Sequence, residues 1–381
     1  MAMKVLQGEF NLARYPVPTN KTLRAWDAAD EFLLRHLADT SQVPDIKGEM
    51  LIVNDNAGAL STALARHRPK MLSDSYLAQV ATRNNLERNS FDASAVQQLA
   101  SFDPLPSSID VVVMKIPKSL ALLEDQLHRI APHIHEKTLF FAGAMAKHIH
   151  TSTLKLFTNI VGPTRSSLAE RKARLIFCNP HPAMKRPHNP WPKAFTARNS
   201  VITSHAGVFC ASRLDEGTEF LLDHLTQPAE PLRVVDLGCG NGALGVTIAV
   251  NNPDAEVTFI DESYRAVASA EATFRANLGH ERTARFLVGN GMFEMSNGAP
   301  PPKRSIDRVV NNPPFHEKHA ICDTIASQMF TESRDVLRRG GELWVVGNRH
   351  LDYQAKLKGL FGNCELVAGN PRFVVLMAVR S

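Results

Sequence analysis

The feature that most constrains this chain is that it repeats itself. "MLIVNDNAGALSTALARH" (50–67) echoes "RVVDLGCGNGALGVTIAV" (233–250), with "GAL" shared at 58–60 and 242–244. "LSDSYLAQVATRNNL" (72–86) echoes "IDESYRAVASAEATFRANL" (260–278), and "IDVVVMKIPKSLALLED" (109–125) echoes "IDRVVNNPPFHEKHAICD" (306–323). Three matches in one order at similar spacing imply an internal duplication with a period of about 190 residues. A chain of 381 residues is comfortable as two domains, so the expectation is one fold used twice in tandem.

Within each half, apolar runs of strand length alternate with helical patterns. In the second half the expected strands are 233–238, 256–261, 284–289, 306–311, 342–347 and 372–379. Helices are expected over 263–278 and 320–341, the latter stopping at Gly340-Gly341 after two arginines. Strand–helix alternation predicts an α/β fold with a mostly parallel, doubly wound, Rossmann-like sheet in each half. "CNPHPAMKRPHNPW" (178–191) is rich in proline, lacks acidic residues and has no hydrophobic period, so it reads as a connector. The expected layout is a domain over 1–178, a basic linker over 179–192 and a domain over 193–381.

The second copy carries a strand, a glycine loop and a helix start in "VVDLGCGNGALG" (234–245). Gly238, Gly240 and Gly242 let the backbone turn tightly and let a ligand approach without meeting a Cβ. The helix that follows offers free N–H groups to an anionic group. Asp261, at the end of the next strand, can accept hydrogen bonds from both hydroxyls of a ribose. The expected cofactor set is Asp236, Gly238, Gly240, Asn241, Gly242, Asp261, Glu262 and Asn290.

The loop alone leaves NAD and S-adenosylmethionine open, because Gly238-x-Gly240-x-x-Ala243 also fits the relaxed dinucleotide fingerprint. Two features favour S-adenosylmethionine. A negative charge at Asp236 suits the ammonium of a methionine moiety and opposes a pyrophosphate. Asn312-Pro313-Pro314-Phe315 follows the fourth strand, and hydride transfer has no need of it. An aromatic amine is a weak nucleophile because its lone pair is delocalised. The Asn312 carboxamide oxygen and the Pro313 carbonyl can accept its two hydrogens and aim the lone pair for in-line attack. Proline fixes φ, and Phe315 offers a flat face for a base.

Here the residues resemble a known family. D-x-G-x-G-x-G followed by N-P-P-F looks like the Rossmann-like methyltransferases of exocyclic base or glutamine amines. With "GVFCASRLDEGTEFLL" (207–222), "AWDAADEFLL" (25–34), "PKSLALLEDQL" (117–127) and "GNRHLDYQAKLKGLFGNCELVAGNPRFVVLMAV" (347–379), the chain is similar, over almost its whole length, to the bacterial ribosomal RNA guanine-N2 methyltransferases. Among those, the resemblance is to the kind acting on the large subunit. The resemblance implies methyl transfer from S-adenosylmethionine to the 2-amino group of a guanine in 23S rRNA, which must be turned out of its stack to be reached. It implies that Asn312, Pro313, Pro314 and Phe315 are the target-amine motif and that Asn290 faces the adenine, where an acidic residue is common in relatives. The alternatives are a 16S rRNA guanine, or a release-factor glutamine. The latter enzymes more usually carry a helical N-terminal domain.

The first copy keeps only Gly58 in its loop and has Lys115-Ile116-Pro117-Lys118 where the second has Asn-Pro-Pro-Phe. It is expected to be a degenerate, non-catalytic copy that grips RNA phosphates. Lys115 and Lys118 are expected to help, with Arg171, Lys172, Arg174, Lys185 and Arg186 near the linker. Net charge is +5, compatible with a polyanion partner without proving one.

Composition bounds the rest. Apolar content is 44% and charged content 21%, ordinary for a globular protein. No apolar run has bilayer length and the N-terminus has no signal-type core, so a cytoplasmic protein without a membrane partner is expected. The five cysteines form no C-x-x-C pair, and "HEKH" (316–319) has i, i+3 spacing where zincins need i, i+4, so no metal is expected. A monomer is expected.

Overall fold

Runs such as "RVVDL" and "IDRVVN" have β-branched residues buried on both faces, the pattern of strands covered by helices on each side. The computed structural model describes residues 1–17, 22–39, 48–226, 232–314 and 319–381, the side chains of 319–323 excepted. The chain divides into two compact units, Met1–Pro190 and Trp191–Ser381.

The second unit is built on an eight-stranded sheet. Its spatial order is Glu294–Met295, Arg285–Asn290, Glu256–Asp261, Arg233–Leu237, Ile306–Asn311, Leu337–Asn348, Phe373–Val379 and Glu365–Gly369. Five successive strands, from Arg285–Asn290 to Leu337–Asn348, are parallel. Phe373–Val379 then inserts antiparallel beside Leu337–Asn348, with Glu365–Gly369 on its outer edge. Chain order reverses between Arg233–Leu237 and Ile306–Asn311, which are direct neighbours. Connections leave these two strands in opposite directions, opening a crevice at their carboxyl ends. The glycine loop follows one strand and Asn312 the other, so the topology brings them together.

The first unit has a seven-stranded sheet with the same order and directions: Gln97–Leu99, Lys70–Leu72, Met50–Val53, Ile109–Lys115, Ile134–Met145, Ala173–Cys178 and Thr164–Ser166. The duplication extends to details. Each unit opens with a hairpin, Ala2–Val5 with Gly8–Asn11 and Lys193–Ala197 with Ser200–Ser204. Each hairpin is docked by an asparagine at the C-terminal end of a helix: Asn89, the C-cap of Tyr76–Arg88, exchanges two hydrogen bonds with the Asn11 backbone, and Asn277, in the last turn of Tyr264–Leu278, does the same with Val201. Ser75 and Ser263 cap equivalent helices. Both sheets carry a bulge after the first residue of equivalent strands, Ile109–Lys115 at Ile109/Val111 and Ile306–Asn311 at Ile306/Arg308.

One expected element is corrected. The helix expected over 320–341 ends at Val336, and "LRRGG" begins the strand Leu337–Asn348. Leu337 pairs with Ile306 across the bulge, and Gly340 N–H donates to the Arg380 carbonyl at 2.7 Å. Gly341 fits because a Cβ there would lie 3.0 Å from the Ile306 carbonyl oxygen. The glycines therefore serve a bulged strand and not a helix stop. Residues 179–190 lie against the first unit, Arg186 Nε donating to the Ile160 carbonyl at 2.9 Å and Asn189 Nδ2 to Asp125 at 2.8 Å. Among the described residues no helix is long and apolar enough to cross a membrane.

Candidate active site

At the end of Arg233–Leu237 the chain turns through Gly238 (φ +69°), Gly240 (φ +54°) and Gly242 (φ +80°), all in the left-handed region. Gly238 and Cys239 N–H groups both donate to the Ile260 carbonyl, at 2.8 and 3.0 Å. Gly242 is required by packing: a Cβ there would sit 2.8 Å from the Ala270 Cα. Gly58 meets Thr82 in the same way in the first unit, at 2.6 Å. A Cβ at Gly240, by contrast, would meet nothing within 4 Å, so this side of the loop is open.

Asp261 ends its strand beside that open side. Its Oδ2 accepts the Gly240 N–H at 3.0 Å and its Oδ1 the Ser263 N–H at 3.0 Å. Glu262 follows, half-buried. Asn290 ends the next strand outward, its amide directed by Glu294 at 3.1 Å and Gln328 at 3.4 Å. The Asn241 side chain turns away, donating to Ser204 Oγ at 3.2 Å, so its main chain is what it offers the open side.

Asp236 lies near the end of its strand, beneath the loop. It is wholly buried, and its Oδ2 accepts the Gly245 N–H at 2.9 Å from the helix behind the loop. Its Oδ1 is buried and has no hydrogen-bond partner among the described residues. Burial, reinforced by the nearby Asp261 charge and opposed by the Gly245 N–H, pushes its carboxyl up to about 8. Cys239 is also buried, and burial pushes its thiol well above the ordinary range, which fits a spacer and not a nucleophile.

Asn311 and Asn312 sit where the neighbouring strand ends. Asn311 Nδ2 donates to the Leu237 carbonyl at 2.7 Å, pinning the start of the glycine loop. Asn312 Nδ2 donates to Asp215 Oδ2 and Thr218 Oγ1, both at 2.9 Å. Its Oδ1 is buried and has no hydrogen-bond partner among the described residues. Pro313 is buried and Pro314 exposed. Phe315 and the His316–Lys318 part of "HEKH" lie outside the described residues, as does the side chain of His319. Asp215 and Thr218 went unassigned in the sequence. The signal was the parallel between "DEGTEFLL" (215–222) and "DAADEFLL" (27–34).

The first unit departs from expectation at Lys115. Its ammonium is buried, 2.7 Å from Asp27 Oδ1 and 2.8 Å from Asp30 Oδ1, and is not displayed to a phosphate. Burial works against the ammonium, but Asp30 and Asp27 outweigh it and hold Lys115 charged.

Residues 1–182 match the RLMG N-terminal domain family, and residues 199–377 match the Methyltransferase small domain family. The chain is 54% identical to the ribosomal RNA large subunit methyltransferase G of Streptomyces griseus over 98% of both chains. The chain belongs to the ribosomal RNA large subunit methyltransferase G family. The Pectobacterium atrosepticum member is 44% identical over 97% of this chain and 96% of that one. A T. thermophilus 16S rRNA N2 methyltransferase, solved with AdoMet and guanosine, shares the fold with a TM-score of 0.77 at 21% identity, covering 100% of this chain and 98% of the other. Membership in this family makes the chain a methyltransferase, in keeping with the Methyltransferase small domain match over residues 199–377.

Proposed function

We propose that this chain transfers the methyl group of S-adenosylmethionine to the exocyclic N2 amine of a guanine in large-subunit (23S) ribosomal RNA, using its second unit. The observation that carries this is the Asn312 carboxamide: its NH₂ is fully engaged, and its oxygen is buried without a partner among the described residues. A buried acceptor left unpaired costs roughly 1–3 kcal/mol, so its retention points to a donor that arrives with substrate. The names of relatives 44–54% identical supply the RNA class.

The residues present fit S-adenosylmethionine. Gly240 leaves open space above a positive-φ turn, and Asp261 offers two carboxylate oxygens beside it for a ribose. Gly238, Gly242 and the Asn241 main chain would complete the cradle, with Glu262 and Asn290 toward the nucleoside. Bound S-adenosylmethionine supplies a methyl group made electrophilic by a sulfonium. Asp236 holds the loop in shape from behind through Gly245. Asn312 Oδ1 and the Pro313 carbonyl accept the two amine hydrogens and aim the nitrogen lone pair. The methylated amine is acidic and releases its proton to water, so no dedicated base is required.

In this reading the first unit is non-catalytic and binds RNA. The loop of the first unit keeps only Gly58, and its buried Asp55 carboxylate accepts the Ala59 N–H at 3.0 Å and the Ser61 N–H at 2.7 Å, the latter as Asp236 accepts the Gly245 N–H in the second unit. Ser73 stands where the second unit has Asp261. Exposed Lys118, Lys172 and Lys185 are the candidates for phosphate contact, while Arg171 is paired with Glu31 at 3.1 Å.

The test is transfer of tritium from labelled S-adenosylmethionine to naked rRNA, assembled subunits and release factor. N2-methylguanosine in large-subunit RNA is expected. Label confined to protein or to the small-subunit RNA would overturn the assignment.

A further inference from the structure

Asn312 is held from one helix start. Asp215 is the N-cap of helix Glu216–His224, its Oδ2 accepting the Thr218 N–H at 2.8 Å. The same oxygen accepts from Asn312 Nδ2 at 2.9 Å, and Thr218 Oγ1 accepts from it at 2.9 Å. An ionised carboxylate can only accept. A flipped amide would set Asn312 Oδ1 against Asp215, acceptor facing acceptor in a half-buried site. The capping bond fixes the carboxylate, the carboxylate fixes Nδ2, and Oδ1 is left aimed away from both.

We infer that Asp215 and Thr218 are positioning residues that lock the Asn312 carboxamide with its oxygen toward the target base, making the site select a hydrogen-bond-donating amine over a carbonyl oxygen. The first unit supplies a second, independent observation. Lys115 stands at the position of Asn312, Asp27 at that of Asp215 and Asp30 at that of Thr218. Its ammonium contacts both carboxylates, at 2.7 and 2.8 Å. Where the amide has become an ammonium, the hydroxyl acceptor has become a carboxylate. The three positions have changed as a compensated set, as groups do when they act on one another.

This inference rests on Asn312 being the amine acceptor, and a double-mutant cycle separates the two. Single-turnover methyl transfer to rRNA is measured for the native enzyme, Asp215→Asn, Asn312→Ala and the double variant, with S-adenosylmethionine affinity and melting temperature for each. Asparagine caps helices as well as aspartate does, so the helix start is kept. Asp215→Asn should slow transfer by about 10- to 100-fold in the native background, with cofactor affinity within about twofold. In the Asn312→Ala background its effect should shrink to within about twofold. An equal loss in both backgrounds, or no loss in the native one, overturns the inference. A native rate in Asn312→Ala removes the amine-acceptor assignment itself, and this inference with it. Thr218 gives a reading that leaves the cap untouched. Thr218→Val should slow transfer several-fold and Thr218→Ser, which keeps the hydroxyl, should recover most of it; equal rates for the two variants count against the lock.

Discussion

Lys115 Nζ lies 2.8 Å from Asp30 Oδ1 inside the first unit, at the two positions where the second unit has Asn312 and Thr218. The first copy has thus closed its target-amine position with a buried ion pair. Removing one partner of such a pair strands the other charge, which costs about 3–5 kcal/mol. Lys115→Ala should therefore destabilise the protein by about that amount in urea unfolding. Lys115→Asn combined with Asp30→Thr, copying the second unit, should recover most of the loss. A double variant no more stable than Lys115→Ala would show that the charges are not what holds this site.

Asp236 sets a pH dependence. Its carboxyl, ordinarily near 3.8, is pushed up to about 8 by burial first and by Asp261 second. Between these values the folded chain holds a proton that the unfolded chain has released. Its contribution to stability is complete below the unfolded value and is lost as pH rises through about 8. The melting temperature of the cofactor-free protein should fall as pH rises from about 4 to about 8 and level off above that, and Asp236→Asn should flatten the fall by about 2 °C or more. Parallel profiles for the two proteins would place the ionisation elsewhere.

Gly240 tests the cradle. A methyl group there meets no protein atom within 4 Å, so the folded chain tolerates it except for φ +54°, a strain of about 1–2 kcal/mol. Gly240→Ala should nonetheless weaken S-adenosylmethionine roughly tenfold or more by calorimetric titration, because the open side is where the ligand lies. Unchanged affinity would mean that the cofactor does not pass over Gly240.

Lys172 is exposed at a tight turn, with φ +45° at Arg171 and +66° at Lys172. If the first unit grips RNA, Lys172→Glu should weaken binding of the full chain to rRNA. It should also reduce the slope of log affinity against log salt by about 1. Lys115→Ala should leave that slope unchanged, since its ammonium is already paired. A slope indifferent to Lys172 would remove this residue from the RNA contact.

The strands that carry the site were legible in the sequence because runs such as "EVTFID" and "IDRVVN" are continuous, β-branched and bounded by turn residues; both end where expected. The glycine loop and Asn312 were legible for the same reason, since strand ends fix their register. Three features were not. "LRRGG" has helix-stop composition, and only pairing of Leu337 with Ile306 makes it a strand. The complete burial of Asp236 follows from its strand being covered on both faces, which the motif alone does not show. Asp215 meets Asn312 across 97 residues of sequence, and no local pattern encodes a contact of that separation. The short hairpins at the start of each unit are four or five residues per strand and are held by long-range contacts, among them those of Asn89 and Asn277.

The most direct measurement is single-turnover methylation of large-subunit rRNA by the native protein and by Asn312→Ala, with nucleoside analysis of the product. The native protein should yield N2-methylguanosine. Asn312→Ala should bind S-adenosylmethionine with native affinity and transfer its methyl group about 100-fold more slowly or worse. A native rate in Asn312→Ala, or a product other than N2-methylguanosine, would contradict the assignment of this asparagine as the acceptor that orients the target amine.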